Sequence, residues 1–416
     1  MKPKKVVIIG GGIIGLCSAY YTAKKGFEVI VLERSTEEEE GCSFGNAGLV
    51  VPSHIIPLAA PGMISKGLRW LMNSESPFYI KPTLSWKLLR WGVLFWKHAK
   101  QSHTDASKDL LAALNLESRQ LFTDLAREEN FGLETKGLLM LCKTQEALHE
   151  EATVAEMAQK LGMDIEICSP DRLKELDPNI DMDVCGGVHF QQDCHLDPKR
   201  LMKALRSRIL AVGGRIQYKA AVKDFEFRNG LVNSATLENN AKIEGDEFVL
   251  ASGSWSPDLG KTAQLNFPLQ AGKGYSLTLE NPTQLPRLSS ILVEAKVAVT
   301  PIGESLRVSG TMEVGTRETD INPSRVRGIV KSVVSYFPKY KAEDFENVEP
   351  WAGLRPCSPD GLPYIGKSPI HDNLTVATGH AMMGLSLGPV TGALVADLLT
   401  KDGEPDPRLS PARFMN

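Results

Sequence analysis

Over residues 4–9 the chain is apolar and β-branched without alternation, the pattern of a strand buried on both faces of a parallel sheet. Glycines follow at once. A helical pattern then continues to Lys25, with Gly26 placed to close it. A second apolar strand, 27–32, ends at Glu33. Leu110, Leu114, Leu121 and Leu125 mark an amphipathic helix over 105–130. The pattern next predicts a strand at 137–142, a helix at 144–162 and a capped helix start at Ser169-Pro170. A helix runs from Asp197-Pro198 to Val212, with proline in its first turn, and a strand covers 215–220. Short strands are predicted at 222–227, 231–238 and 242–250. Residues 268–345 read as strand-rich, with turns at Asn281-Pro282 and Asn322-Pro323. A strand at 374–377 and a helix at 390–399 would return the chain to its first unit. There is no internal repeat and no low-complexity tract.

Composition acts mainly by exclusion. The 416 residues suggest two or three folding units, and 42% hydrophobic with 23% charged residues is ordinary for a globular chain. Forty-seven basic against 50 acidic residues leave a net charge of −3, so no overall basic field favours nucleic acid. No run of about 18 uncharged apolar residues predicts a spanning helix. The cysteines number seven, an odd count without any C-x-x-C pair, which argues against a disulfide framework or a zinc site and favours a reducing compartment. The amino-terminal apolar stretch runs straight into glycines and carries no small-residue cleavage site, so no signal peptide is expected.

The first strand is followed by Gly10-Gly11-Gly12-Ile13-Ile14-Gly15, and Glu33 lies 18 residues beyond Gly15. Strand, G-x-G-x-x-G, helix, strand and acid together form a dinucleotide-binding unit. Gly10 makes the tight turn, Gly12 admits a pyrophosphate to the backbone, and Gly15 lets helix and strand pack. The helix amino terminus stabilises phosphate charge, and Glu33 would accept hydrogen bonds from ribose hydroxyls. Position alone does not separate FAD from NAD. The loop after the second strand, Cys42 to Gly48, is small and polar where another helix would be usual. Ala251-Ser252-Gly253-Ser254-Trp255 opens a second turn of small residues after a strand.

Residues 62–100 stand apart. They hold Trp70, Trp86, Trp91 and Trp96, four of the six tryptophans, with Lys66, Arg69, Lys81, Lys87, Arg90, Lys97 and Lys100 against the single acid Glu75. This local +6, with a helix over 84–100, suits a segment lying on an anionic membrane surface. The plainer alternative is a cationic helix whose tryptophans pack on its own domain or on a sister subunit.

Five motifs in order, GGGIIG with Glu33, CSFGNAGLVVPSHIIPLAAPG from 42, AGKGYSLT from 271, WAGLRPCSPDGLPYIG from 351 and TGHAMMGLSLGP from 378, resemble the FAD-dependent amine and D-amino-acid oxidoreductases. The similarity covers nearly the whole chain and is greatest to the small, membrane-associated bacterial D-amino-acid dehydrogenases. It implies that Gly12, Ile13, Ile14, Glu33, Arg34 and Ser43 hold the ADP part and diphosphate of FAD, together with Gly10 and Gly15 of the glycine turn. Asn46, Ala47 and Gly48 would lie along the isoalloxazine ring, and Val222, Ala251, Gly253 and Trp255 near the adenosine and diphosphate. Gly379, His380, Met383, Gly384, Leu385 and Ser386 would close over the pyrimidine end. Arg355 matches the arginine that holds the substrate carboxylate, a task suited to a planar, permanently charged guanidinium. The resemblance gives Tyr275 a place facing substrate only weakly, because related oxidases set their substrate tyrosines on other strands. His380 would orient or polarise the flavin. Cys357 does not match the cysteines that carry FAD covalently in some relatives, so non-covalent FAD is expected.

These readings predict a Rossmann-type α/β FAD-binding domain, from 1–53, 196–266 and 350–416, with a discontinuous substrate domain of α+β type, from 54–195 and 267–349, built on an antiparallel sheet. The implied reaction is oxidation of a D-amino acid to an imino acid, with electrons passing to a quinone or another non-oxygen acceptor. An acyclic imine would be hydrolysed to a 2-oxo acid and ammonia. D-Proline or a hydroxy-D-proline would leave a cyclic imine. The expected location is cytoplasmic, peripheral on the inner face of the membrane. The alternatives are a glycine- or sarcosine-type oxidase using oxygen, and a non-catalytic FAD-bearing subunit of an electron-transfer complex.

Overall fold

A computed structural model describes residues 3–38, 41–71, 73, 75–81, 83, 85–400 and 402–415; the side chains of Lys66, Leu68, Arg69 and Leu71 lie outside that description. Two large sheets organise the chain. The first has six strands, in the order Tyr364–Lys367, Leu374–Thr378, Glu247–Leu250, Lys5–Ile9, Glu28–Leu32 and Arg215–Gln217. Its neighbours are parallel except at the Tyr364–Lys367 edge. Successive side chains of a strand point to opposite faces. Val6 and Ile8 therefore pack with Leu16, Phe122 and Leu201 on one face, under the helices Ile13–Lys24, Gln101–Glu128 and Pro198–Ala211. Val7 and Ile9 pack with Phe225, Leu259 and Phe267 on the other face. There the cover is a three-stranded sheet, Val222–Arg228, Leu231–Leu237 and Lys242–Glu244, with the helix Ser256–Thr262. Burial on both faces explains the unbroken apolar pattern of the first strand.

The second sheet has nine strands and is largely antiparallel. Its path runs Trp351–Cys357, Gln270–Leu279, Ser305–Val314, Val297–Ile302, Ser289–Leu292, Leu138–Cys142, Gly186–Phe190 and Ile165–Cys168, and Phe78–Ile80 pairs with Ser305–Val314. Two of its pairings are parallel, Ser289–Leu292 with Leu138–Cys142 and Phe78–Ile80 with Ser305–Val314. The helix Pro323–Tyr336 buries Ile329 and Val333 against its strands.

That helix corrects the reading of 268–345 as strands. Asn322-Pro323 is a helix start and no simple turn: the Asn322 side chain accepts from the amide of Ser324 and proline occupies the first turn. The single strand expected at 242–250 is two strands in different sheets, parted at Gly245-Asp246. Asp246 there accepts a hydrogen bond from the Lys5 amide at 2.7 Å, which ties the turn to the first strand. The helix expected at 105–130 starts earlier and spans Gln101–Glu128, and the strand expected at 215–220 stops at Gln217.

Candidate active site

One cavity of about 1050 Å³ runs from the glycine turn to the second sheet. At the glycine end the backbone does the work. Gly10 sits at φ 109°, where a Cβ would come within 2.5 Å of the Ala251 carbonyl oxygen. A Cβ on Gly15 would lie 1.8 Å from the Gly10 oxygen, so this glycine lets the helix rest on the turn. Gly12 differs: its Cβ would meet only Ser43 Oγ, at 3.6 Å, and otherwise point into open space before the helix. Ser43 Oγ accepts from the Ile13 amide at 3.0 Å. The carboxylate of Glu33 braces the loop, accepting from the amides of Gly11 at 2.6 Å and Ser35 at 2.9 Å. Arg34 stacks its guanidinium 3.5 Å from the Trp255 ring centroid. Ile14, Val222, Ala251 and Gly253 share this part of the wall.

Cys42, Ser43, Asn46 and Ala47 continue the wall, and His380, Met383, Gly384 and Leu385 face the same space. Arg307 donates to the carbonyls of Phe44 (3.1 Å) and Asn46 (2.9 Å), fixing the loop to the second sheet. Four residues carried over as FAD contacts do not line the cavity. Gly15 is a packing glycine. Gly48 lies against the Leu196 carbonyl, and Gly379 against the Tyr364 ring, with Cβ positions at 2.3 and 2.7 Å. Ser386 is buried behind the wall, where Oγ accepts from Val51 and donates to Asn115. These four shape the wall from behind.

The other end is built from side chains on strands. Arg355 comes from Trp351–Cys357 and lines the cavity; it pairs with Gly272 across the sheet, and its guanidinium lies over Gly274, whose Cβ would sit 2.1 Å from it. Glycine is therefore required for the arginine to lie where it does. Arg355 Nη1 donates to the Thr311 carbonyl at 2.6 Å. Thr311 has φ 66°, rare for a β-branched residue, and the pairing of Gln270–Leu279 with Ser305–Val314 shifts register at this point. The irregular turn of backbone aims that carbonyl at the arginine. Among the described residues no acidic group pairs with Arg355, and burial lowers its pKa from the ordinary arginine value. Cys42 and Cys357 are near, with thiols raised by burial to about 11 and about 12.

Two candidate residues on the wall have a polar atom engaged within the protein. The Tyr275 hydroxyl donates to Glu313 Oε2 at 2.8 Å inside the core, next to Lys273, and the ring packs with Leu277 and Val297. The residue borders the cavity but its polar tip is engaged away from it, because it alternates with Gly274 across the strand. His380 turns Nε2 to Thr391 Oγ1 at 2.9 Å and leaves Nδ1 buried without a partner; burial lowers it to about 3. It is thus a neutral imidazole at the wall.

Sequence reasoning missed a third cluster. His54 lines the cavity, its Nδ1 3.4 Å from Ser53 Oγ, and Ser53 Oγ donates to Asp193 Oδ2 at 2.5 Å. The short ladder of Leu49–Val50 with Cys194–His195 brings these residues together from 140 positions apart. No spacing motif signals such a pairing.

Residues 62–100 divide in two. Trp91 is buried and donates its indole N–H to the Cys357 carbonyl at 2.9 Å, and Trp70 borders the cavity. Trp86 and Trp96 are 82% and 60% exposed on the helix Trp86–His98, with Leu89 and Val93 exposed between them, and Trp96 also borders the cavity. Lys81 pairs with Glu318 and Lys87 with Asp258, so the local charge is smaller than the segment alone suggests. The expected cations Lys66 and Arg69 lie outside the described side chains. Among the described residues no helix is long and apolar enough to cross a membrane.

The family described as DAO, FAD dependent oxidoreductase, matches residues 5–398. This chain belongs to that family. FAD is accordingly its cofactor, and the open cradle at Gly12, the helix start behind it and the Arg34–Trp255 stack fit that group. The D-amino acid dehydrogenase of Helicobacter pylori is 30% identical over 402 residues, which are 96% of this chain and 95% of that protein. The enzyme of the same name from Xylella fastidiosa is 32% identical over 410 residues, 95% of this chain and 92% of its own. The crystal structure of glycine oxidase from Geobacillus kaustophilus shares the fold, with a TM-score of 0.79 at 22% identity, covering 99% of this chain and 100% of that one.

Proposed function

We propose that this FAD-dependent oxidoreductase oxidises a D-amino acid at the Cα–N bond to the imino acid. The observation that carries the reading is Arg355, a guanidinium inside the protein, open to the cavity, with no acidic partner among the described residues. A desolvated cation without a counter-ion favours an anion of matching shape, and a carboxylate can bond both its prongs. The relatives' names supply the D configuration. FAD, when bound, supplies the hydride acceptor. The glycine turn and the Ile13 helix hold its diphosphate, Glu33, Arg34, Val222 and Trp255 its adenosine end, and the loops at 46–47 and 380–385 flank its ring. The cofactor is non-covalent in this reading: Cys357 borders the cavity, but it is buried and its thiol is raised to about 12. The six-stranded sheet with its covering layers is the cofactor domain in this reading, and the nine-stranded sheet the substrate domain.

The electrons go to a quinone or another non-oxygen acceptor, and the protein docks peripherally on the cytoplasmic face of a membrane. Trp86, Leu89, Val93 and Trp96 support this: they recur at spacings of three and four, so they share one exposed helix face. The test is anaerobic mixing with a panel of D- and L-amino acids while flavin absorbance is followed. D-amino acids should bleach the flavin and their enantiomers should not. A flavin that no amino acid reduces would favour the non-catalytic subunit instead.

A further inference from the structure

An amino acid at neutral pH carries an ammonium group. Its nitrogen must give up a proton before the lone pair can assist departure of the Cα hydrogen as hydride. Beyond the glycine and adenosine end, few groups of the cavity wall could take that proton. Arg355 cannot, because it remains a cation with no acceptor. Lys296 is itself an ammonium. Tyr275 is engaged with Glu313, and His380 leads through Nε2 only to the Thr391 hydroxyl, with no carboxylate to take the proton on. His54 remains, and it is connected to a buried carboxylate. Asp193 is 1% exposed, receives the Ser53 hydroxyl at 2.5 Å and also the Ser53 amide at 3.0 Å.

We infer that His54, Ser53 and Asp193 form a relay that removes the substrate's ammonium proton. Nε2 of His54 accepts the proton from the substrate nitrogen. The Nδ1 proton passes to Ser53 Oγ as the Ser53 hydroxyl proton moves to Asp193 Oδ2. Three N–H or O–H bonds break and three form, and no electron pair leaves the atom that owns it. A cation and an anion become two neutral groups, a favourable exchange away from bulk water. The proton is lost to solvent after the product leaves.

The surroundings fit each role. Burial raises Asp193 to about 7, although the Ser53 hydrogen bonds and the Arg119 charge oppose it. The neighbouring Cys194 thiol is raised by burial to about 11 and contributes no charge near neutrality. His54 is lowered to about 4 by burial and by the Lys296 charge, so it passes a proton on without keeping it. Because three coupled groups share one proton, the observed ionisation belongs to the array.

The relay rests on the D-amino-acid reading above. Its test uses holoenzyme in anaerobic stopped flow, with the best reductant of the panel, at a series of pH values. Wild-type flavin reduction at low substrate should rise with pH through an ionisation near about 7. His54→Gln, Asp193→Asn and Ser53→Ala should each be slower by roughly 10²-fold at neutral pH, as for loss of a general base. They should lose that ionisation and recover toward high pH, where free substrate supplies its own neutral amine. Should Asp193→Asn fail to fold, Ser53→Ala carries the test, because its backbone amide still reaches Asp193.

A second readout needs no turnover. 2-Aminoisobutyrate has no Cα hydrogen to give, so its binding to oxidised holoenzyme isolates proton transfer. It should raise a carboxylic-acid infrared band that Asp193→Asn lacks. Variants that keep the wild-type pH profile, or that lose the same factor at every pH, overturn the relay. If no D-amino acid bleaches the flavin, the functional reading fails with it. If the variants are bleached normally, only the relay fails.

Discussion

The two ends of the cavity are made by opposite means. At the glycine end, contiguous residues shape the backbone, and the important feature is space: Gly12 leaves a cradle empty while Gly10 and Gly15 let chain segments touch. At the arginine end, side chains converge from distant strands and loops, and the backbone is irregular, with Thr311 at φ 66° and Ala381 at φ 48°. A cofactor common to many enzymes needs only the first kind of site. Selective handling of one class of substrate needs the second, where charge and strain are held by a surrounding sheet.

The sharpest break in this comparison comes from the glycines. Gly15→Val should prevent folding, because a Cβ would occupy the space of the Gly10 carbonyl oxygen. Gly12→Val should fold and yet purify without yellow colour, because its side chain fills only the cradle. Circular dichroism and flavin absorbance of the two variants distinguish these outcomes. If Gly12→Val retains full FAD, the cradle does not hold the diphosphate.

Much of the glycine end was legible in the sequence, for a physical reason. A strand, a tight turn and a helix start are local, so their residues are fixed in number and order. Arg355 was legible through its motif, but its supports were not. Gly274 and Thr311 reach it through sheet register. Asp193 reaches Ser53 through a two-residue ladder. The direction of the Tyr275 hydroxyl was not legible for a related reason: only the pleat decides which face of a strand a ring occupies. Helix Pro323–Tyr336 was missed because an Asn-Pro pair serves both turns and caps.

Next in size is the arginine itself. Arg355→Ala should lower kcat/KM by about 2–5 kcal/mol, roughly 30- to 5,000-fold, with FAD content unchanged. Gly274→Ala should act through the same group. Its methyl would meet the guanidinium, which is the movable partner, and should weaken substrate binding by roughly tenfold. Steady-state kinetics with both variants checks this. If Gly274→Ala is neutral while Arg355→Ala is not, the guanidinium grips the carboxylate from another position.

Buried imidazoles should also make the protein acid-sensitive. Burial lowers His54 and His195 to about 4 and His380 to about 3, against 6.5 for a free imidazole. As pH falls below about 6.5, the unfolded chain takes up protons that the folded chain refuses, so stability falls with pH. Asp193 runs the other way. Its folded value is raised from 3.8 to about 7, so its contribution is lost as pH rises through that window. Three imidazoles outweigh one carboxyl. The net acid loss should be on the order of 1–2 kcal/mol over the first pH unit, counting cavity-facing His54 for less. Urea unfolding at several pH values measures it, and His380→Asn should flatten the acid limb. A stability that is constant from neutral to acid would mean these imidazoles are solvated.

The smallest effect lies outside both ends. Trp86 and Leu89 are exposed on the helix Trp86–His98 and stand clear of the cavity wall, whereas Trp91 on the same helix is core. Changing Trp86 and Leu89 to serine should cost about 1–2 kcal/mol of binding to anionic vesicles, the scale of one apolar side chain entering the headgroup region. Salt should weaken binding only modestly, because Lys81 and Lys87 already have acidic partners while Lys97 and Lys100 remain exposed. Trp91→Ser should instead lower stability by breaking its bond to the Cys357 carbonyl beside the arginine strand. Flotation of the Trp86 and Leu89 variants, beside their anaerobic bleaching rates, separates docking from chemistry. Binding should fall while both cavity ends behave as in the wild type. Wild-type protein that stays with the soluble fraction at low salt would return the helix face to a contact between protein surfaces.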